Sequence, residues 1–156
     1  MTTIEKNTEL KTVQYNRSGY TVSVLENWNV KLIDEQRTAF IGPKVGKLRI
    51  GFYITVVPKN GKNYLDAAQK IKLQQALEPH YEVMEEKDIS NETNAFMRRS
   101  CWYNQEADMM LFVRDIFTEY NDNVYILSCS IPNNPDLAYI DTATIEMMGS
   151  FKFLMD

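Results

Sequence analysis

The stretch Thr93–Ile131 constrains the fold of this chain more than any other. It holds no glycine or proline, and it breaks only at Asn104–Ala107 and Asn121-Asp122. Between the breaks apolar residues dominate, many of them β-branched or aromatic, as in Met109-Met110-Leu111-Phe112-Val113 and Val124-Tyr125-Ile126-Leu127. Such uninterrupted runs read as strands. The expectation is three long antiparallel strands, Thr93–Tyr103, Asp108–Tyr120 and Asn123–Ile131, in the middle of a sheet. Asn and Asp tolerate the positive φ of a two-residue hairpin turn, so Asn121-Asp122 fixes a register. Tyr120 then faces Asn123, Ile116 faces Leu127 and Phe112 faces Ile131, while Phe117 meets Ile126 on the other side. Apolar pairs on both faces require cover on both, by helices or by a ligand.

The remaining chain supplies further strands and two helices. Lys11–Tyr15 reads as a short edge strand and Asn16–Gly19 as a turn. Tyr20–Leu25 alternates, and so does Trp28–Leu32, with Trp28, Val30 and Leu32 expected on one face. Arg37–Ile41 is expected to stop at Gly42-Pro43. Leu48–Val57 alternates most cleanly, with Leu48, Ile50, Phe52, Ile54 and Val56 sharing a face. Asn63 has the character of an N-cap, with Asp66 in the first turn of a helix reaching about Leu77. Its inner face is marked by Tyr64, Ala68 and Ile71, and widened by Leu65, Ala76 and Leu77. The acidic run Tyr81–Ile89 suits an exposed edge strand. Asn134 followed by Pro135 opens a second helix, whose apolar face is Leu137, Ile140, Thr144 and Met147 or Met148, closed by Gly149. Phe151 and Phe153 are expected to pack back on the sheet.

Strands joined in runs by short turns indicate a twisted antiparallel sheet flanked by helices, an α+β domain. With 156 residues and no repeat, linker or low-complexity tract, the reading is a flexible segment 1–12 followed by one domain over 13–156.

Charge and chemistry narrow the function. A net charge of −4 disfavours nucleic acid, whose phosphates demand clustered Lys and Arg. No apolar run reaches the length of a membrane span. The polar start beginning at Met1 lacks a secretory core, so the expected location is the cytoplasm, or outside it if a leader was removed. Cys101 and Cys129 lie in expected strands as buried thiols. His80 is a lone histidine beside Pro79 and makes no metal site. Glu85 and Glu86 alternate across a strand and cannot share a site unless the strand is bulged. Ser128 and Ser130 lack the glycines of a nucleophile elbow. No catalytic set, metal or cofactor is therefore expected. Arg98, Arg99 and Arg114 sit in central strands, where a charge needs a partner. Asp108, Asp115 and Glu119 are the candidates, and anion binding is the competing role. Met and aromatic residues crowd near the central strands. Trp102, Tyr103, Met109, Met110 and Phe112 form the candidate binding set, because flexible Met among aromatic rings suits adaptable apolar contact.

Some local motifs are similar to those of a known fold group. Gly19-Tyr20-Thr21-Val22-Ser23-Val24-Leu25-Glu26-Asn27-Trp28, then Phe40-Ile41-Gly42-Pro43 with Ile50-Gly51-Phe52-Tyr53-Ile54-Thr55-Val56, then Tyr125–Ser130, a helix and Gly149-Ser150-Phe151-Lys152-Phe153 resemble the PsbP/Mog-like folds, with their DcrB-like and Eag-type relatives. The resemblance spans 15–153 and implies the same α+β architecture. Its members serve as photosystem extrinsic or assembly proteins, as Ran binders and as chaperones of secretion effectors. It thus implies a non-enzymatic module that holds a protein partner or apolar segment on its sheet. A PsbP-like photosynthetic role, or an enzyme built on a cleft carboxylate and an arginine, are the alternatives.

Overall fold

The computed structural model describes residues 10–15 and 19–154, with residues 10–15 described by their backbone alone. Ten strands and two helices follow one another as β1 (Leu10–Tyr15), β2 (Tyr20–Leu25), β3 (Asn29–Leu32), β4 (Arg37–Val45), β5 (Leu48–Pro58), α1 (Tyr64–Gln75), β6 (Glu82–Asp88), β7 (Ala95–Asn104), β8 (Met109–Tyr120), β9 (Asn123–Pro132), α2 (Ala138–Gly149) and β10 (Lys152–Phe153). A single 3-10 turn, Pro135–Leu137, leads into α2. The main sheet is antiparallel, in the order β3-β4-β5-β9-β8-β7-β6. A smaller sheet has the order β1-β2-β10.

The three expected long strands are β7, β8 and β9, in the expected register. Tyr120 pairs with Asn123, Ile116 with Leu127, Phe112 with Ile131 and Phe117 with Ile126. Asn121 and Asp122 take φ values of 49° and 64°, the left-handed conformation of a tight hairpin turn. The acidic strand β6 does lie at an edge.

The helices lie on opposite faces and are offset. From α1, Ala68 and Gln75 meet Arg98 and Asp115 of β7 and β8. On the other face, α2 and β2 pack over β5 and β9. Ile140, Ala143, Met147 and Met148 join Val22, Val24, Phe52, Ile54, Leu127 and Cys129 in the main apolar core. Each CH₂ buried there contributes about 0.8 kcal/mol. Tyr20, Tyr125, Phe151 and Phe153 close this core as a ring cluster. Asn63 caps α1 as expected: it accepts from the Leu65 and Asp66 amides, and the Asp66 carboxylate accepts from the Asn63 amide. Asn134 accepts from the Asp136 amide at the start of the 3-10 turn, with Pro135 just after it.

Several expectations need correction. The first strand begins at Leu10, so residues 10–12 are paired with β2 rather than frayed. The turn at Asn16–Ser18 lies outside the described residues. Strand β3 starts after Trp28, which turns into the core, whereas Val30 and Leu32 are exposed. They sit on an edge strand beyond the reach of the covering elements. Gly42-Pro43 does not end β4: the pairing slips between Ile41 and Lys44 and then resumes to Val45. A bulge absorbs the proline, which has no N–H to give to a ladder. Helix α1 ends at Gln75, and Leu65, Ala76 and Leu77 face solvent instead of widening its inner face. The helix turns Ala68 and Gln75 toward β7 and β8, and the leucines lie off that inner face.

Candidate functional site

The offset of the two helices creates the candidate site. On the α2 side, cover extends over β5 and β9 and stops there. Strands β8, β7 and β6 continue past it with that face open, leaving a half-open cleft of about 390 Å³ between the first turns of α2 and the sheet. Its floor carries Phe112 and Ile131, and Leu137 and Met84 stand at its margins. The helix wall is made by Ala138, Asp141 and Thr144, which recur every three residues and keep that wall small. A volume of this size lies in the range of small-ligand pockets.

Two charged side chains line the same cleft. Arg99 of β7 and Arg114 of β8 are direct cross-strand partners, so both project to this face. Arg99 Nη1 lies 3.3 Å from Glu85 Oε2, and Arg114 Nη1 lies 3.6 Å from Asp141 Oδ1. The second contact is an ion pair longer than an ordinary hydrogen bond. A bulge in β6 contributes to this arrangement. The pairing steps from Val83–Ser100 to Glu85–Arg99, so Met84 is an extra residue. Met84 and Glu85 thus both reach the cleft side, one lining it and one holding Arg99. The same bulge sends Glu86 to the other face, where it meets Arg98 and Lys72.

Arg98 plays a different part. It is buried on the α1 side, donates to the Ala68 carbonyl at 2.8 Å and lies over the rings of Phe96 and Phe117. Asp115 stands directly opposite it and accepts from Gln75 Nε2 at 2.9 Å. Burial pushes the Asp115 carboxyl up, against the pull of Ser128, Gln75 and Arg98. Of the three expected acidic partners, Asp115 therefore serves Arg98. Asp108 accepts from the Tyr103 hydroxyl, and Glu119 pairs with Lys59. The actual partners of Arg99 and Arg114, Glu85 and Asp141, depend on the β6 bulge and on the docking of α2, neither of which is visible in a linear pattern.

The five candidate binding residues divide between faces. Met110 pairs with Tyr103, and with Phe112 two residues on they share the cleft side. Trp102 and Met109 fall on the α1 side by strand alternation. All five are half-buried, and Phe112 alone among them lines the cleft. Composition picked out Phe112, but Met84, Ile131 and Leu137 were missed because they converge only in space.

Both cysteines are free and buried, on β7 and β9 with β8 between them. Cys129 lines the cleft, and burial pushes its thiol up to about 12, so it carries no thiolate at neutral pH. Burial also raises Cys101, with the charge of Glu82 adding to it. Among the described residues no helix is long and apolar enough to cross a membrane.

No family model matches the sequence, and no curated protein does. Solved structures do. LpqN of Mycobacterium tuberculosis, involved in cell envelope biogenesis, superposes with a TM-score of 0.62 at 8% identity, over 92% of this chain and 90% of that one. Cyanobacterial PsbP (CyanoP) of Synechocystis sp. PCC 6803 gives 0.60 at 7% identity, over 94% and 93%. PA94 of Pseudomonas aeruginosa, a protein of unknown function, gives 0.59 at 17% identity, over 90% and 94%. These likenesses establish the architecture: the chain is an α+β protein with a PsbP-like fold. Identities this low carry the fold and not the activity.

Proposed function

We propose that this protein is a non-enzymatic binding module that holds an apolar segment of a protein partner in the cleft between α2 and the open part of the sheet. The observation that supports this reading is the cleft itself, half-open and floored by Phe112 and Ile131 beside a flexible Met84. Thioether and ring surfaces of this kind adapt to side chains of different shape. The ionisable groups around it favour holding over transforming. They are two paired arginines, an aspartate beside one of them, and a thiol kept protonated. A chaperone- or adaptor-like role, of the Eag type, is the most concrete form of this reading.

Site-specific photo-cross-linking in the native host tests it. A cross-linker at Met84 should give a discrete protein adduct whose cross-linked peptide is apolar. The same group at Leu73, exposed on α1 across the sheet, should give none. Equal adducts from both positions, or none from Met84, would remove the reading.

A further inference from the structure

We infer that the segment received by the cleft carries a carboxylate beside its apolar anchor, and that Arg99 and Arg114 together form the seat for that anion. The inference rests on the binding reading above and adds the chemistry of the partner. Directly opposed like charges in a sheet are unfavourable unless an anion lies between or beside them. Here the opposed pair is Arg99 and Arg114, and both line the cleft.

The anions now beside the arginines are loosely held. Side-chain exposure is 42% for Glu85 and 54% for Asp141, so neither is locked in place by packing. The Asp141 contact, at 3.6 Å, leaves the Arg114 fork open to a closer acceptor. Asp141 also loses little when released, because it lies in the first turn of α2, where a negative charge is stabilised by the helix N-terminus. A guest carboxylate at the Arg114 fork displaces Asp141 but does not remove it, so the exchange adds one negative charge to the site. A planar, singly charged carboxylate adds the least and matches the flat guanidinium fork. Cross-strand neighbours have Cβ atoms about 5 Å apart, so two guanidinium forks there can converge on one carboxylate. The apolar part of the guest then lies on Phe112 and Ile131, next to the arginines on the same face.

The test is selection of random decapeptides from a displayed library on the purified full chain, in parallel formats with free and blocked C-termini. Enrichment of peptides with an acidic group one or two residues from an apolar one is expected, with affinity that falls as salt rises. Enrichment in the free format alone assigns the carboxylate to a chain end, and enrichment in both assigns it to Asp or Glu. The double variant R99Q/R114Q should bind the selected peptides at least about tenfold more weakly, the scale of a lost charged hydrogen bond, with its salt dependence gone. Its urea midpoint reports that it stays folded. Selection of apolar peptides without acidic groups, lost on F112E, would overturn the inference and leave the binding reading standing. Failure to select any peptide sensitive to F112E would overturn both.

Discussion

Arg98 and Arg99 are neighbours in β7 with opposite fates: one is sealed between the sheet and α1, and the other stands open in the cleft across from Arg114. Strand alternation alone separates them, yet it gives them different energetic weights. Removing Arg98 leaves Asp115 buried without its opposing charge, and it also removes the donor to the Ala68 carbonyl. Loss of a buried hydrogen bond from a charged group costs about 1.5–3 kcal/mol. Arg98→Ala is therefore expected to lower stability by that amount in urea unfolding. Arg99→Ala should change it by less than about 0.5 kcal/mol, since its pair with Glu85 is exposed on both sides. Equal losses from the two variants would contradict the assignment of faces.

Glu119 connects three segments. Its carboxylate pairs with Lys59 at 3.3 Å, accepts from the Asn94 side chain and accepts from the Tyr64 amide at the start of α1. Partial burial works against its ionisation, but these hydrogen bonds and the Lys59 charge outweigh it and hold its carboxyl below the usual value of 4.5. The sign follows from the depressed value: its stabilisation is complete above the unfolded-state pKa and is lost as pH falls through the lower folded-state one. Glu119→Gln should cost about 1–3 kcal/mol at pH 7. That difference from the parent should shrink as unfolding is measured at progressively lower pH between 5 and the acid transition, and a pH-independent difference would reject the ionic role.

Gly42 and Gly51 offer a matched pair of substitutions. A Cβ on Gly42 would meet the Trp28 ring at 2.6 Å, and that ring is buried. A Cβ on Gly51 would meet the Tyr53 ring at 2.8 Å, but Tyr53 is more than a third exposed and free to swing away. Gly42→Ala should cost about 1–3 kcal/mol by overpacking, and Gly51→Ala distinctly less. The order of their melting temperatures checks this.

Cys129 should resist alkylation. With its thiol pushed up to about 12 by burial, iodoacetamide at pH 8 should label it only after unfolding. Peptide mapping with and without urea measures the difference; rapid native labelling at Cys129 would mean that the cleft opens much further than the structure shows.

The central hairpin was legible because everything that sets it is local. Asn121-Asp122 fixes the turn, and a period of two then propagates the register along β8 and β9. The caps at Asn63 and Asn134 are local for the same reason. Gly42-Pro43 misled because a bulge, which local composition does not announce, carries the strand past it. Leu65 and Leu77 misled because apolar spacing says where a helix could bury a face, not which side it turns to the sheet. Here α1 turns Ala68 and Gln75 inward, toward Arg98 and Asp115, and leaves both leucines exposed. The cleft was largely hidden because it exists where α2 stops covering the sheet, a property of how elements are placed. Phe112, Arg99 and Arg114 could be singled out one at a time, but the opposition of Arg99 to Arg114 needed the register between β7 and β8.

The extra residue in β6 makes one wall of the cleft separable from the architecture. Excising Met84 would leave Val83 opposite Ser100 and Glu85 opposite Arg99, so the ladder would close over the gap in unbroken step. A codon deletion, ordinarily the harshest change a strand can suffer, would here remove a gatepost and leave the fence standing.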